Sequence, residues 1–141
     1  KMYKFTGKKT QGFSQKKHLI KNAMIFLNAP YLWGGRTPFG IDCSGFTQMI
    51  YRLQGIKIPR DAYQQAEIGI TLGFIDECEE GDLAFFENNE GKIVHVGIIM
   101  FDNQIIHASG KVRIDKIDQK GIFNSELKKH THKLRVIKKL I

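Results

Sequence analysis

The chain changes its apolar period at about residue 82, and that change limits the folds open to it. Upstream, Leu19, Ile20, Ala23, Met24 and Leu27 recur at helical spacing, which predicts a helix over residues 14–27 with Ser14 as its cap. A second helix is expected over residues 43–53, burying Phe46, Ile50 and Leu53, with Gly55 as its stop. A short third helix is expected over residues 62–68, after Pro59. Downstream, residues 83–86, 94–99, 104–108, 112–115 and 134–137 are rich in β-branched and aromatic side chains and read as strands. Turn signals at residues 88–91, 102–103 and 109–110 separate the first four of them. Helices first and strands after predict an α+β domain, its N-terminal helices packed on one side of an antiparallel sheet of about five strands. Residues 1–13 are polar and read as a tail or linker, which leaves residues 14–141 as the domain. Gly34, Gly35, Pro38 and Gly40 make residues 31–41 a loop.

At 141 residues, 42% of them hydrophobic, the chain can bury a core of its own. No apolar run reaches the roughly 20 residues that a membrane-spanning helix needs. The sequence opens at Lys1 with no charged-then-apolar leader, which suggests a processed or excised chain. Twenty-two Lys and Arg against 14 Asp and Glu give a net charge of +8. Such a balance suits anionic partners, whether nucleic acid, lipid surfaces or the bacterial wall, and it equally serves as a solubilising surface. Nucleic acid is not expected, because no basic stripe is interleaved with aromatics in the way that single strands require.

Two cysteines cannot build a disulfide framework. Cys78 lies among Asp76, Glu77, Glu79 and Glu80, which disfavour a thiolate, and reads as incidental. Cys43 is different. It follows Asp42 at the start of the second expected helix, where the positive end of the helix dipole favours an anion. His95 and His107 fall in neighbouring strand segments with a turn between them, so a hairpin can bring both rings to one face. A thiolate nucleophile, an imidazole base and a group that orients the base make a covalent catalytic set. The same helix start offers backbone N–H groups, including that of Cys43, to an oxyanion. The competing reading is a buried structural cysteine with two core histidines. A metal site is the other use of such residues, with Asp42 as a further ligand, but neither CxxC nor HExxH spacing is present. No metal and no cofactor are therefore expected. His18, His130 and His132 lie in basic segments and read as exposed bystanders.

Residues 31–35 (YLWGG), 40–46 (GIDCSGF), 81–86 (GDLAFF), 95–98 (HVGI) and 106–109 (IHAS) together resemble the NlpC-type cysteine peptidases of bacterial cell walls, a papain-like group. The resemblance implies a papain-like fold with Cys43 as nucleophile, His95 as base and His107 as the polar third residue. It also implies a peptidoglycan substrate, cut between D-glutamate and the following diamino acid. Residues 58–65 (IPRDAYQQ) are similar to the segment found in dipeptidyl-peptidase VI types, which act on stems with a free N-terminal L-alanine. In that reading Asp61 would pair with the substrate ammonium, with Arg60, Ser44 and Trp33 around the pocket. The alternative for Asp61 is a surface cap of the short helix. Relatives often carry an N-terminal β-barrel module of the Src-homology type, and an upstream domain of this kind is one expected partner.

The leading expectation is a murein-peptide hydrolase working through a cysteine thioester. Its setting would be the bacterial envelope, periplasmic or secreted, with cytoplasmic recycling as the alternative. An acyltransferase using the same residues and a non-catalytic wall-binding module are the rival readings.

Overall fold

A computed structural model describes residues 6–31, 35–37 and 40–141. In chain order the elements are α1 (Thr6–Ile25), β1 (Arg36–Thr37), β2 (Gly40–Ile41), α2 (Cys43–Leu53), α3 (Ala62–Gln65) and β3 (Ile70–Leu72). A 3-10 turn at Ile75–Glu77 leads to β4 (Leu83–Glu87), β5 (Ile93–Met100), β6 (Gln104–Ser109), β7 (Lys111–Asp118), β8 (Gly121–Asn124) and β9 (Lys129–Lys139).

The expected helices and all five expected strands are present, with differences that packing explains. α1 begins at Thr6, so it takes in much of the segment read as a tail. It ends at Ile25, and Asn28 turns the chain with a left-handed φ of 73° before Pro30. Leu19, Ile20 and Ala23 are buried as expected, whereas Met24 is exposed and Phe26 takes the inner position. α2 has the expected bounds and Gly55 follows it at φ 78°. Its inner face is Cys43, Phe46, Thr47, Ile50 and Tyr51, while Leu53 points to solvent.

The sheet is larger than expected and is not open. Its order is β3-β9-β4-β5-β6-β7-β8, and β8 also pairs with β9. The strands from β4 to β9 therefore form a closed antiparallel ring, with β3 attached to the far end of β9. Closure turns on Lys133, which lies opposite Gly121 of β8 on one edge and Glu87 of β4 on the other. Only the eleven-residue length of β9 lets it serve three neighbours, β8 by its first half, β4 along its second, and β3 at its end. The sequence reading missed β8 because four residues, two of them Gly and Asn, carry too little alternation to register.

Alternation along the ring sorts the side chains into two cores. Outward toward the helices, Leu83, Phe85, Val96, Ile98, Ile106, Ala108 and Val112 pack against α1 and α2. Inside the ring lie Ala84, Phe86, Ile99, Ile105, Ile117, Ile122 and Ile137. Continued along β5, β6 and β7, the inner positions pass from these apolar residues to His95, His107 and Asp115, all buried. One end of the barrel is therefore filled with ionisable groups.

Gly121 shows how tight the closure is. Its φ is 144°, and a Cβ there would stand 1.8 Å from the carbonyl oxygen of His132. Gly121→Ala is expected to lower stability by roughly 2 kcal/mol or more through strain and lost β8–β9 pairing. Urea unfolding of the two proteins side by side measures the difference.

Candidate active site

Asp42 caps α2, accepting from the Gly45 N–H at 2.6 Å. Arg60 grips the same carboxylate with both terminal nitrogens, at 3.1 and 2.9 Å, and also donates to the Ser44 hydroxyl at 3.0 Å. Gln65 of α3 donates to the carbonyls of Ser44 and Pro59, at 3.1 and 2.8 Å, and accepts from Thr47 at 2.7 Å. The Pro59–Gln65 segment thus clamps the first turn of α2, which carries Cys43. The loop before it is tied down by the Tyr31 N–H to the Gly110 carbonyl at 3.0 Å and by the Ile41 N–H to the Pro30 carbonyl at 3.0 Å.

Cys43 is buried, and its sulfur lies 4.0 Å from the carbonyl oxygen of Val94, the residue before His95. Burial pushes the thiol up, and the Asp42 charge adds to this. The N–H groups of Val96, Ser44 and Cys43 itself favour the thiolate but do not offset burial. The helix start therefore does not hold a resting thiolate, as helix position alone would suggest.

Behind the thiol stands a chain of hydrogen bonds. His95 Nε2 is 2.8 Å from His107 Nδ1, and His107 Nε2 is 2.8 Å from Asp115 Oδ2. Arg113 holds Asp115 with Nε at 2.8 Å and a terminal nitrogen at 3.1 Å. Burial alone would raise the Asp115 carboxyl, but His107 and Arg113 bring it below the usual carboxylate range. An ionised carboxylate only accepts. His107 must then carry its proton on Nε2 and accept at Nδ1 from His95 Nε2–H. That leaves Nδ1 of His95 as its unprotonated nitrogen. Burial pushes His95 well below the ordinary imidazole value, with His107 and His132 adding to the effect, and burial lowers His107 too. At neutral pH the site holds a thiol and neutral imidazoles.

Gly97 of β5 lies opposite His107, and a Cβ there would come within 2.9 Å of the His107 Cβ. The bare backbone lets the two strands set the rings at hydrogen-bond distance.

The structure joins His95 to His107 and sets the Cys43 sulfur against the β5 backbone at Val94 and Val96, on either side of His95, with Ser44 and Arg60 beside the first turn of α2. Arg60 has a raised pKa, chiefly through its hydrogen bond to Asp42, with smaller contributions from Asp61 and Cys43. Asp61 is exposed at the start of α3, and its N–H is accepted by the Gln64 side chain at 3.3 Å. Tyr31 shares this neighbourhood: burial raises its hydroxyl, and Cys43 and Asp42 add to the shift. Trp33 lies outside the described residues. His130 is exposed and pairs with Asp118, as a bystander would.

His132 is a correction. It is no bystander: its ring stacks on His95 with centroids 4.2 Å apart and planes 27° from parallel. It was missed because β9 reads as a strand only from residue 134, whereas pairing with β8 extends it to Lys129. Asp115 was missed too, although its place two residues beyond Arg113, which faces His107 across β6 and β7, was a signal that alternation could have used. Cys78 is a free thiol donating to the Ile75 carbonyl at 2.8 Å, so it makes no disulfide with Cys43. Among the described residues no group of three or more His, Cys, Asp or Glu is arranged to hold a metal ion, and no helix is long and apolar enough to cross a membrane.

This fold has known counterparts. The model of the NlpC/P60 family matches residues 28–135, and the chain belongs to that family. A protein of Bacillus subtilis (strain 168) named gamma-D-glutamyl-L-lysine dipeptidyl-peptidase is 44% identical over 92 residues, covering 64% of this chain and 31% of the relative. Its namesake in Bacillus cereus is 41% identical over 92 residues, covering 64% and 27%. The chain thus spans less than a third of either relative. Among solved structures, an NlpC/P60 family protein from Bacillus cereus has a TM-score of 0.75 at 30% identity, over 88% of this chain and 39% of that one. The P60 domain of an antigen from M. avium paratuberculosis gives 0.78 at 18% identity, over 96% and 100%, and shows likeness of fold alone.

The buried histidines make stability depend on pH. Above about pH 6.5 the imidazoles are neutral in folded and unfolded chains alike. Below it the unfolded chain takes up protons that the folded protein refuses, down to about pH 4 for His132. Stability is therefore expected to fall between pH 6.5 and 4. Asp115, depressed when folded, adds its own loss only further down, below the ordinary carboxylate value. Urea midpoints across this range are expected to fall less steeply for His132→Phe than for the wild type.

Proposed function

We propose that the domain hydrolyses peptidoglycan stem peptides between γ-D-glutamate and the diamino acid, through a thioester on Cys43. The observation that carries this reading is the relay ending at the ionised Asp115, which makes Nδ1 of His95 the acceptor nitrogen of a buried base, on the strand whose backbone lies against the Cys43 thiol at a helix start. The substrate is taken from the names of the Bacillus relatives and from membership of the family.

The steps follow from a neutral resting pair. The Cys43 sulfur attacks the γ-carbonyl carbon while its proton passes to His95 Nδ1. The carbonyl oxygen becomes an oxyanion, facing the backbone N–H groups of Cys43 and Ser44 that already point toward the sulfur. The C–N bond then breaks, and His95 gives its proton to the leaving amine. Water next attacks the thioester, losing a proton to His95, and the sulfur departs and recovers that proton. In each half His95 becomes a cation whose charge is balanced through His107 by Asp115.

Asp61 is the proposed partner of a free N-terminal ammonium, its exposed carboxylate standing next to Arg60. Ser44, Arg60 and Trp33 complete the proposed pocket, with Arg60 and Ser44 also bracing α2. Such a substrate places the domain in the bacterial envelope, with recycling of stem fragments in the cytoplasm as the alternative setting.

Mass spectrometry of L-Ala-γ-D-Glu-L-Lys incubated with the protein tests the reading. Release of lysine is expected from the wild type and none from Cys43→Ala; a folded, reduced wild type that releases none overturns it. Acetylating the alanine amine is expected to abolish cleavage, and equal cleavage of both peptides would remove Asp61 from its role. Asp115→Asn, which can donate as well as accept and so lets His107 take the wrong tautomer, is expected to lower kcat on the order of 10²-fold.

A further inference from the structure

The hydrogen bond from His95 to His107 fixes one atom of the His95 ring and leaves its plane free to turn about that bond. Something else must hold the plane. Phe86 meets the ring at 5.7 Å and 48°, and His107 meets it at 5.0 Å and 85°, so neither covers a face. His132 does, at 4.2 Å and 27°.

We propose that His132 is a positioning residue for His95, its stacked ring fixing the plane of the base and keeping water from its outer face. This rests on the reading of His95 as the base. His132 is itself held: its Nδ1 is 2.8 Å from the Thr131 hydroxyl, the Phe86 ring meets it edge-on at 6.0 Å, and its backbone lies opposite Ile122 in the closing pair of strands. Beyond it opens a surface cavity of about 530 Å3 lined by Val94, Asn88, Lys120, Thr131 and His132. The His132 ring, with Phe86 beside it, stands between that cavity and His95. Removing it would let solvent reach a base that works because it is dry.

The charge state suits the task. The groups facing His132 are His95 on β5, His107 on β6 and Asp115 on β7, with Phe86 on β4 as the apolar neighbour. Burial, with His107 adding to it, brings His132 down to about 4. It is therefore uncharged when His95 accepts a proton at neutral pH, and it offers that cation a π face rather than a like charge.

The test is the rate of Cys43 alkylation by iodoacetamide from pH 5 to 9, followed by mass spectrometry of the Cys43 peptide, which needs no peptidase substrate. The proteins are the wild type, His132→Phe and His132→Leu, with near-ultraviolet circular dichroism reporting that each is folded. The phenylalanine variant keeps a stacking ring and is expected to alkylate within about threefold of the wild type across the profile. The leucine variant fills a similar volume without a plane, and it is expected to be on the order of tenfold slower at pH 7, where His95 must take the thiol proton as the sulfur attacks. On the tripeptide the same loss should fall in kcat and not in KM. A folded phenylalanine variant as slow as the leucine one, or a leucine variant as fast as the wild type, overturns the proposal. Should the leucine variant not fold, His132→Gln replaces it under the same criteria. Because alkylation is read without substrate, failure of the peptidase assay alone would count against the proposed substrate and not against His132.

Discussion

Asp115 can only accept hydrogen bonds, and every proton position in the site follows from that. Buried in the barrel and gripped by Arg113, it stays ionised, so His107 must donate to it and His95 must donate to His107. The direction runs from the carboxylate outward to His95. Burial alone would favour a neutral carboxyl, which could donate to His107 and reverse the chain; the bonds from His107 and Arg113 together keep it ionised. Arg113 of β7 thus helps to fix which nitrogen of His95 is left unprotonated.

The same burial that orders the relay also keeps it uncharged. A thiolate–imidazolium pair in this setting would place two ions in a site with little water, and the thiol and imidazole are pushed in opposite directions, each toward its neutral form. The N–H groups of Val96, Ser44 and Cys43 oppose this at the sulfur and stand ready for an anion that has not yet formed. In the hydrolysis proposed above, charge separation is then coupled to the arrival of an electrophile, whose carbonyl shares the new negative charge.

The parts of the molecule legible in the sequence are those set by local period and local chemistry. The α2 helix, its Asp42–Cys43 start, the strand pair carrying His95 and His107 and the turn residues between them all depend on neighbours a few positions apart. Ring closure depends on pairing between β8 and β9 and between β9 and β4, and a segment as short as residues 121–124 gives no periodic warning of it. His132 went unread for the same reason, since its segment is polar and becomes a strand only through β8. The thiol's charge state was misjudged because helix position is visible in a sequence and depth of burial is not. Leu53 and Met24 were assigned inward because period gives a face without saying how wide the neighbouring element is.

The closing strand is also the last strand of the barrel to be made. During synthesis the α2 helix and the β4 to β8 meander emerge with their own near neighbours, but β4 has no partner on one edge until residues 133–138 arrive. Until then the interior Phe86, Ile99, Ile105 and Ile122 lie beside an open seam, and the relay sits at its mouth. A growing chain therefore carries its thiol, until β9 is made, without the enclosure that makes the histidines dry. For a domain of the kind proposed here, that order of assembly delays a competent hydrolase until β9 has been made.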